Sequence, residues 1–242
     1  MKEQTTMANK PPKLEGCSYT DNLSTVKRQI SSAASAARRS PAEISLVAVS
    51  KTFQADRIKP ILASGHLFFG ENRVQEAVEK WNPLKLLYPD VRLHLIGSLQ
   101  SNKVSEAMAL FDVIETLDRP KLAQAIARER DRTKQCPNLL IQVNTGEEPQ
   151  KGGVLPDRID DFIERCQTEF DLTVRGLMCI PPLGEEPSLH FGLLREIGRR
   201  HDVERLSMGM SNDFEIAIRF GATHVRIGTA IFGQRGLGDS QI

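Results

Sequence analysis

The sequence predicts an α/β fold, a single (β/α)8 barrel of TIM type with an extra N-terminal helix, and three observations predict it. Eight short β-branched or apolar runs recur along the chain, amphipathic runs of helical spacing separate them, and polar residues gather at the C-terminal ends of the short runs. The short runs are ISLVAVSK (44–51), HLFFGEN (66–72), VRLHLIG (91–97), FDVIETLD (111–118), NLLIQVN (138–144), LTVRGLMCI (172–180), ERLSMGMS (204–211) and THVRIGTAIF (223–232). Strands buried on both faces and joined by helices pair in parallel through right-handed crossovers. Eight such units favour a closed barrel. An open doubly wound sheet would carry a Gly-rich dinucleotide turn after its first strand, and VSKTFQ has none.

Taken in order, residues 1–18 read as a disordered tail and 19–242 as one domain; MKEQTTMANKPPKLEG lacks the apolar segment of a secretion signal. DNLSTVKRQISSAASAARRS has apolar residues at helical spacing from Leu23 to Ala37, with two arginines at the end that the helix dipole favours. SPAE then makes a short capping turn before the first strand. The connecting runs RIKPILASG, VQEAVEKW, NKVSEAMAL, KLAQAIARERDR, RIDDFIERCQTEF, PSLHFGLLREIGRR and DFEIAIRFGA each repeat apolar residues three or four apart, as helices do when they cover a sheet.

Composition narrows the function by exclusion. Lys plus Arg (32) nearly balances Asp plus Glu (31), so no positive field points to nucleic acid or to an anionic membrane. No apolar run is long enough to span a bilayer. Cys17, Cys136, Cys166 and Cys179 lack zinc or disulfide spacing and read as small buried hydrophobes of a reducing, cytoplasmic compartment; no metal site is expected.

In a barrel the chemistry sits at the C-terminal ends of the strands. Those ends carry Lys51, then Glu71 and Asn72, then Gly97 with Ser98 and Gln100, then Asp118, Asn144, Ser207 to Ser211, and Arg226 to Thr229. A lysine ending a strand commonly snorkels to solvent. At a barrel mouth, a partly desolvated amine such as Lys51 is also suited to condense with a carbonyl. The loops after the last two strands, SMGMSND and RIGT, fit a phosphate: Gly209 and Gly228 let backbone approach an anion, and Ser207, Ser211 and Thr229 supply hydroxyls. Ser211 or Asn212 could equally cap the helix that follows. Arg226 lies inside an apolar strand and must be paired, either with a carboxylate such as Glu71 or with a ring nitrogen of a bound heterocycle. Schiff-base lysine, phosphate cradle and ring-nitrogen arginine together describe a pyridoxal 5′-phosphate (PLP) site. In HLIGSLQSNK, His94 reads as a satisfied core histidine, Gln100, Ser101 and Asn102 as capping residues of the next helix, and Lys103 as solvated or at the cofactor's rim.

The stretches LVAVSKT, FGENRVQEA, HLIGSLQSNK, RGLMCIP, LSMGMSNDFEIAI and VRIGTAIFG resemble the PLP homeostasis proteins, also called the YggS or PROSC family. The resemblance implies the fold-type III PLP class, a barrel like the N-terminal domain of alanine racemase. It matches Lys51 to the PLP lysine, holding the cofactor as an internal aldimine. Arg226 matches the residue near the pyridine nitrogen, Ser207, Gly228 and Thr229 the phosphate-binding positions, and Asn72 a position lining the pocket. It implies a protein that buffers or delivers PLP, affects amino-acid and keto-acid balance and has no established catalytic turnover, with PLP-requiring apo-enzymes as partners. Arg73 stands where many members have Tyr, TGEEPQKGGV is a variant loop, and the N-terminal tail is longer than usual.

Two enzyme readings stand beside the carrier. One is a PLP-dependent amino-acid racemase, which needs two bases on opposite faces of the substrate. Here only Tyr19 and Tyr88 exist, neither at a strand's C-terminal end, and the sequence runs out at Ile242 soon after the eighth strand, with no room for the second domain that builds the racemase dimer. A monomer is therefore expected. The other is a cofactor-free aldolase in which Lys51 attacks a phosphorylated keto substrate.

Overall fold

The computed structural model describes residues 18–233, so most of the expected tail, residues 1–17, and the QRGLGDSQI stretch lie outside the described residues. Ser18, assigned to that tail, instead caps the first helix: its Oγ accepts from Thr20 N–H at 3.2 Å while the Asp21 carboxylate accepts from Ser18 N–H at 3.3 Å. Helix α1 (Tyr19–Ala36) buries Leu23, Val26, Ile30 and Ala34, a single face at three- and four-residue spacing. It stops before both expected arginines. Arg39 serves elsewhere, donating through Nη1 to Ile218 O at 2.9 Å and Ala222 O at 2.8 Å, which pins the segment after α1 to the stretch 218–222 just before the last strand of the barrel.

The strands β1 (Ser45–Val49), β2 (Phe68–Glu71), β3 (Arg92–Leu95), β4 (Val113–Leu117), β5 (Asn138–Val143), β6 (Val174–Cys179), β7 (Arg205–Ser207) and β8 (His224–Ile227) form a closed barrel in chain order, every neighbour parallel. Helices α2 (Ala55–Ala63), α3 (Val74–Leu87), α4 (Val104–Leu110), α5 (Pro120–Thr133), α6 (Ile159–Thr168), α7 (Pro187–Arg200) and α8 (Phe214–Arg219) cover its outside. SPAE forms the expected short turn, a 3-10 turn over Pro41–Glu43 with Ser40 and Glu43 capping each other. The expected eighth strand breaks in two: β8 ends at Ile227, and Thr229–Phe232 is one helical turn, α9, that buries Ile231 and Phe232.

Alternation along the strands separates two environments. Leu46, Ala48, Phe69, Leu93, Leu95, Ile114, Leu139, Ile141, Leu177, Leu206, Val225 and Ile227 pack outward in one apolar core with the helices. Val47, Val49, Val113, Leu140 and Met178 are equally buried on the opposite face, inside the barrel. Register places Val47 beside Arg226, Met178 beside Ser207 and Gly70 beside His94, so polar groups share that interior with aliphatic ones. Cys166 and Cys179 are buried, and burial pushes both thiols up to about 12. Cys136 is exposed, contrary to expectation, and Cys17 lies outside the described residues. Among the described residues no helix is long and apolar enough to cross a membrane.

Candidate functional site

The end of β1 places Lys51 at the mouth of the barrel. Ser50 turns outward, its Oγ donating to Glu71 Oε1 at 2.6 Å, and Lys51, half-buried, follows it in the turn at the end of β1, just beyond the inward-facing Val47 and Val49. Beside it, Gly228 follows the last residue of β8, and a Cβ there would lie 3.2 Å from Val49 O and 3.3 Å from Val49 Cβ. The two segments are fastened again by Phe53 and Phe232, whose rings stack 4.9 Å apart. Ile231 and Phe232 both donate to Gly228 O, which leaves the N–H groups of Thr229 and Ala230 ahead of the first helical bond.

The loop after β7 completes this side of the mouth. Gly209 has φ +93°, and a Cβ on it would lie 2.6 Å from Ala217 Cβ and 2.9 Å from Phe214 Cα, so the position admits only glycine without rearrangement. Its carbonyl accepts from Arg226 N–H at 2.9 Å, tying the loop to β8. Neither Ser211 nor Asn212 caps α8. Asp213 holds the N-cap position, and its carboxylate accepts from Met210 N–H at 2.5 Å, leaving the half-buried Ser211 out of the helix start. Asn72 sits just past β2, where its backbone presses on Gly97: a Cβ on Gly97 would lie 2.2 Å from Asn72 O. The fold therefore gathers Lys51, Asn72, Gly209, Ser211, Gly228 and Thr229 at the ends of the contiguous strands β7, β8, β1 and β2.

Arg226 and Ser207 lie deeper in the barrel. Arg226 is 3% exposed; its Nη1 donates to Ser207 Oγ at 2.7 Å and its Nη2 to Cys179 O at 2.8 Å. Ser207 Oγ donates in turn to Glu115 Oε2 at 2.6 Å, and Glu115 Oε1 lies 2.7 Å from His94 Nδ1. The buried carboxylate that balances Arg226 is thus Glu115, at 3.8 Å, and not Glu71, which faces outward against α3. Burial opposes a charge on Glu115, but the His94 hydrogen bond and the charges of His94 and Arg226 overcome it and hold the carboxyl at about 2. Ser207 is fully buried and its hydroxyl is engaged between these two charges, so it links Arg226 to Glu115 inside the barrel and does not present that hydroxyl at the mouth with Ser211 and Thr229.

Other polar strand ends serve the scaffold. Asn144 closes its own loop through both amide atoms to the Glu148 backbone, and Asp118 pairs with Arg119. His94 is a satisfied core histidine, as read. Gln100 makes no side-chain cap, and Lys103 pairs with Glu106 on the surface. Sequence reasoning missed Glu115, although an acidic residue in the middle of VIETL was as visible a signal as Arg226 in HVRI.

The donor set at this mouth is an amine, a guanidinium fixed below it, hydroxyls, and backbone that glycines leave open to an anion. Such a set is chemically suited to a phosphorylated carbonyl compound with a heteroaromatic ring.

Comparison with known proteins agrees with this chemistry. The model of the family described as "Alanine racemase, N-terminal domain" matches residues 22–236. A pyridoxal phosphate homeostasis protein of Aquifex aeolicus is 40% identical over 226 residues, spanning 89% of this chain and 97% of that protein. The protein of the same name from Escherichia coli K12 is 39% identical over 223 residues, 88% of this chain and 95% of its own. The solved structure of PipY from Synechococcus elongatus PCC7942 with PLP bound superposes with TM-score 0.77 at 34% identity, covering 89% of this chain and all (100%) of that one. Alanine racemase from Corynebacterium glutamicum, at 16% identity and TM-score 0.66, covers 91% of this chain and 63% of its own and shares the fold alone.

Proposed function

Because the chain belongs to the alanine racemase N-terminal domain family, and within it to the pyridoxal phosphate homeostasis proteins, we propose that it holds PLP at the mouth of its barrel and releases it to PLP-requiring apo-enzymes. One observation carries the reading: Lys51 lies in the turn just after β1, the strand between the β8 end with Gly228 and the β2 end with Asn72, with Arg226 on β8 in the layer beneath. When bound, PLP supplies an aldehyde, a pyridine ring and a phosphate. Lys51 offers the amine that receives the aldehyde. Backbone at Gly209 and Gly228 and the hydroxyls of Ser211 and Thr229 hold the phosphate. Ser207 contributes indirectly, by setting the angle of Arg226.

Two features of the protein's own groups support holding rather than turnover. Arg226 carries donors only, so toward a ring nitrogen it donates and discourages protonation there, which weakens the ring as an electron sink. Tyr19 opens α1 and Tyr88 ends α3, so neither is placed at a strand end to act as a racemase's second base. Absorbance tests the binding: protein mixed with PLP gains a visible band that borohydride abolishes and that Lys51→Ala never shows. A colourless mixture sinks the proposal, and exchange of an amino acid's α-hydrogen at roughly 1 to 1000 per second replaces the carrier with an enzyme. Activation of an apo-enzyme by the loaded protein in the presence of a free-PLP trap is the expected sign of delivery; no activation under the trap means release through solution.

A further inference from the structure

A second lysine grips the turn that carries Lys51. Lys80, on α3, has a side chain only 6% exposed, and its Nζ donates to Ser50 O at 2.9 Å and Phe53 O at 3.0 Å, the carbonyls that bracket Lys51 and Thr52. The same ammonium lies 2.8 Å from Glu71 Oε1 and 3.1 Å from Glu76 Oε1. Each carboxylate reaches the turn as well. Glu76 Oε1 accepts from Thr52 N–H at 2.5 Å, and Glu71 Oε1 accepts from Ser50 Oγ at 2.6 Å and from Trp81 Nε1 at 2.9 Å.

The turn so held is a costly one. Thr52 has φ +66°, the left-handed region that a β-branched residue avoids, and such a conformation persists only where its surroundings impose it. Buried ion pairs contribute little net stability over apolar replacements of the same shape, so stability alone is a weak reason for charge at this place. Lys80 pairs with both Glu71 and Glu76, and each of the three also reaches the four residues that contain Lys51.

We propose that Lys80 is a positioning residue: with Glu71 and Glu76 it imposes the left-handed conformation of Thr52 and so aims Lys51 Nζ into the barrel mouth. The proposal rests on the reading of Lys51 as the amine that receives PLP. In that step Lys51 Nζ, as the free amine, adds to the aldehyde carbon; the C=N bond forms as the aldehyde oxygen leaves as water, taking both amine hydrogens. Without Lys80 the turn relaxes, and the amine is correctly placed in only a fraction of molecules.

The test mixes ligand-free protein with PLP and follows the growth of the visible band. Lys80→Met, or Lys80→Met/Glu71→Gln if the single change strands the Glu71 charge and does not fold, slows the band at least about tenfold, the population factor that one strained residue commands. Adding Thr52→Gly recovers a large part of the rate, because glycine holds positive φ without the clamp. A folded double variant with the wild-type rate overturns the proposal, and so does a slowed rate that Thr52→Gly leaves unchanged. If wild-type protein gives no band at all, the cofactor reading fails by itself. Acetylation of Lys51 by acetic anhydride, mapped by mass spectrometry in ligand-free protein, then decides the positioning: the proposal expects Lys80→Met/Glu71→Gln to change its rate and Thr52→Gly to restore it, and equal rates overturn it.

Discussion

A guanidinium inside a barrel must keep its hydrogen bonds, because the interior supplies no water to replace them. Arg226 satisfies that demand through Ser207, Cys179 and the charge of Glu115. Glu115→Leu leaves this charge stranded and is expected to cost about 3–5 kcal/mol in urea unfolding. Arg226→Met in the same chain recovers most of the loss, whereas strictly additive losses would show that the two residues are not coupled. Lys51 and Arg226 were legible as single residues, since each interrupts an apolar run. Their partners were not. Ser207 meets Glu115 from 92 positions away, and Glu71, the carboxylate that the sequence offers to Arg226, is excluded only by the parity of β2, which turns it toward α3. The Lys80 clamp was equally hidden, because VQEAVEKW places Lys80 on a helix where a lysine ordinarily reaches solvent.

At the scale of the element, boundaries decide what the site contains. Thr-Ala-Ile-Phe continues β8 by composition, yet it turns into α9 at Gly228 and stacks Phe232 on Phe53, which sets the segment after β8 against the Lys51 turn. Short apolar runs do not distinguish strand from buried helix, so this break was beyond the pattern. The loop between β7 and α8 depends on Gly209 in the same way. Gly209→Ala combines a positive φ with a 2.6 Å approach to Ala217 Cβ, and we expect a loss of at least about 2 kcal/mol in denaturant unfolding together with weaker PLP binding by titration. A variant as stable as the parent would show that the loop yields easily.

For the whole molecule, the barrel and its helical coat bury His66 and half-bury His224, and both places favour the uncharged ring. Burial lowers His66 to about 4 despite its bond to Phe68 O, and burial likewise lowers His224 to about 4 against the attraction of Glu115. Between the ordinary value of 6.5 and 4, the unfolded chain binds protons that the folded chain refuses. Stability is therefore full above pH 6.5 and falls as pH drops toward 4, by up to about 3 kcal/mol for each histidine. Glu115 adds to the decline, since its contribution is lost as pH falls from 4.5 through about 2. Urea midpoints measured from pH 7.5 down to 4 are expected to decline steadily, and His66→Gln to remove about half the slope. A flat profile would show that these rings are protonated without cost.

Eight apolar runs separated by amphipathic ones determined the closed parallel barrel without help, because strand and helix periods are local properties and only one simple architecture buries them all. The sequence likewise put Lys51, Gly209, Gly228 and Thr229 at one end, since a parallel barrel brings all its strand ends to the same face. Tertiary structure alone decided that Ser207 works beneath that face, that Glu115 and not Glu71 balances Arg226, and that Lys80 reaches back to the Lys51 turn. These are contacts between distant segments, and they depend on strand parity and register, which are fixed only when the barrel closes.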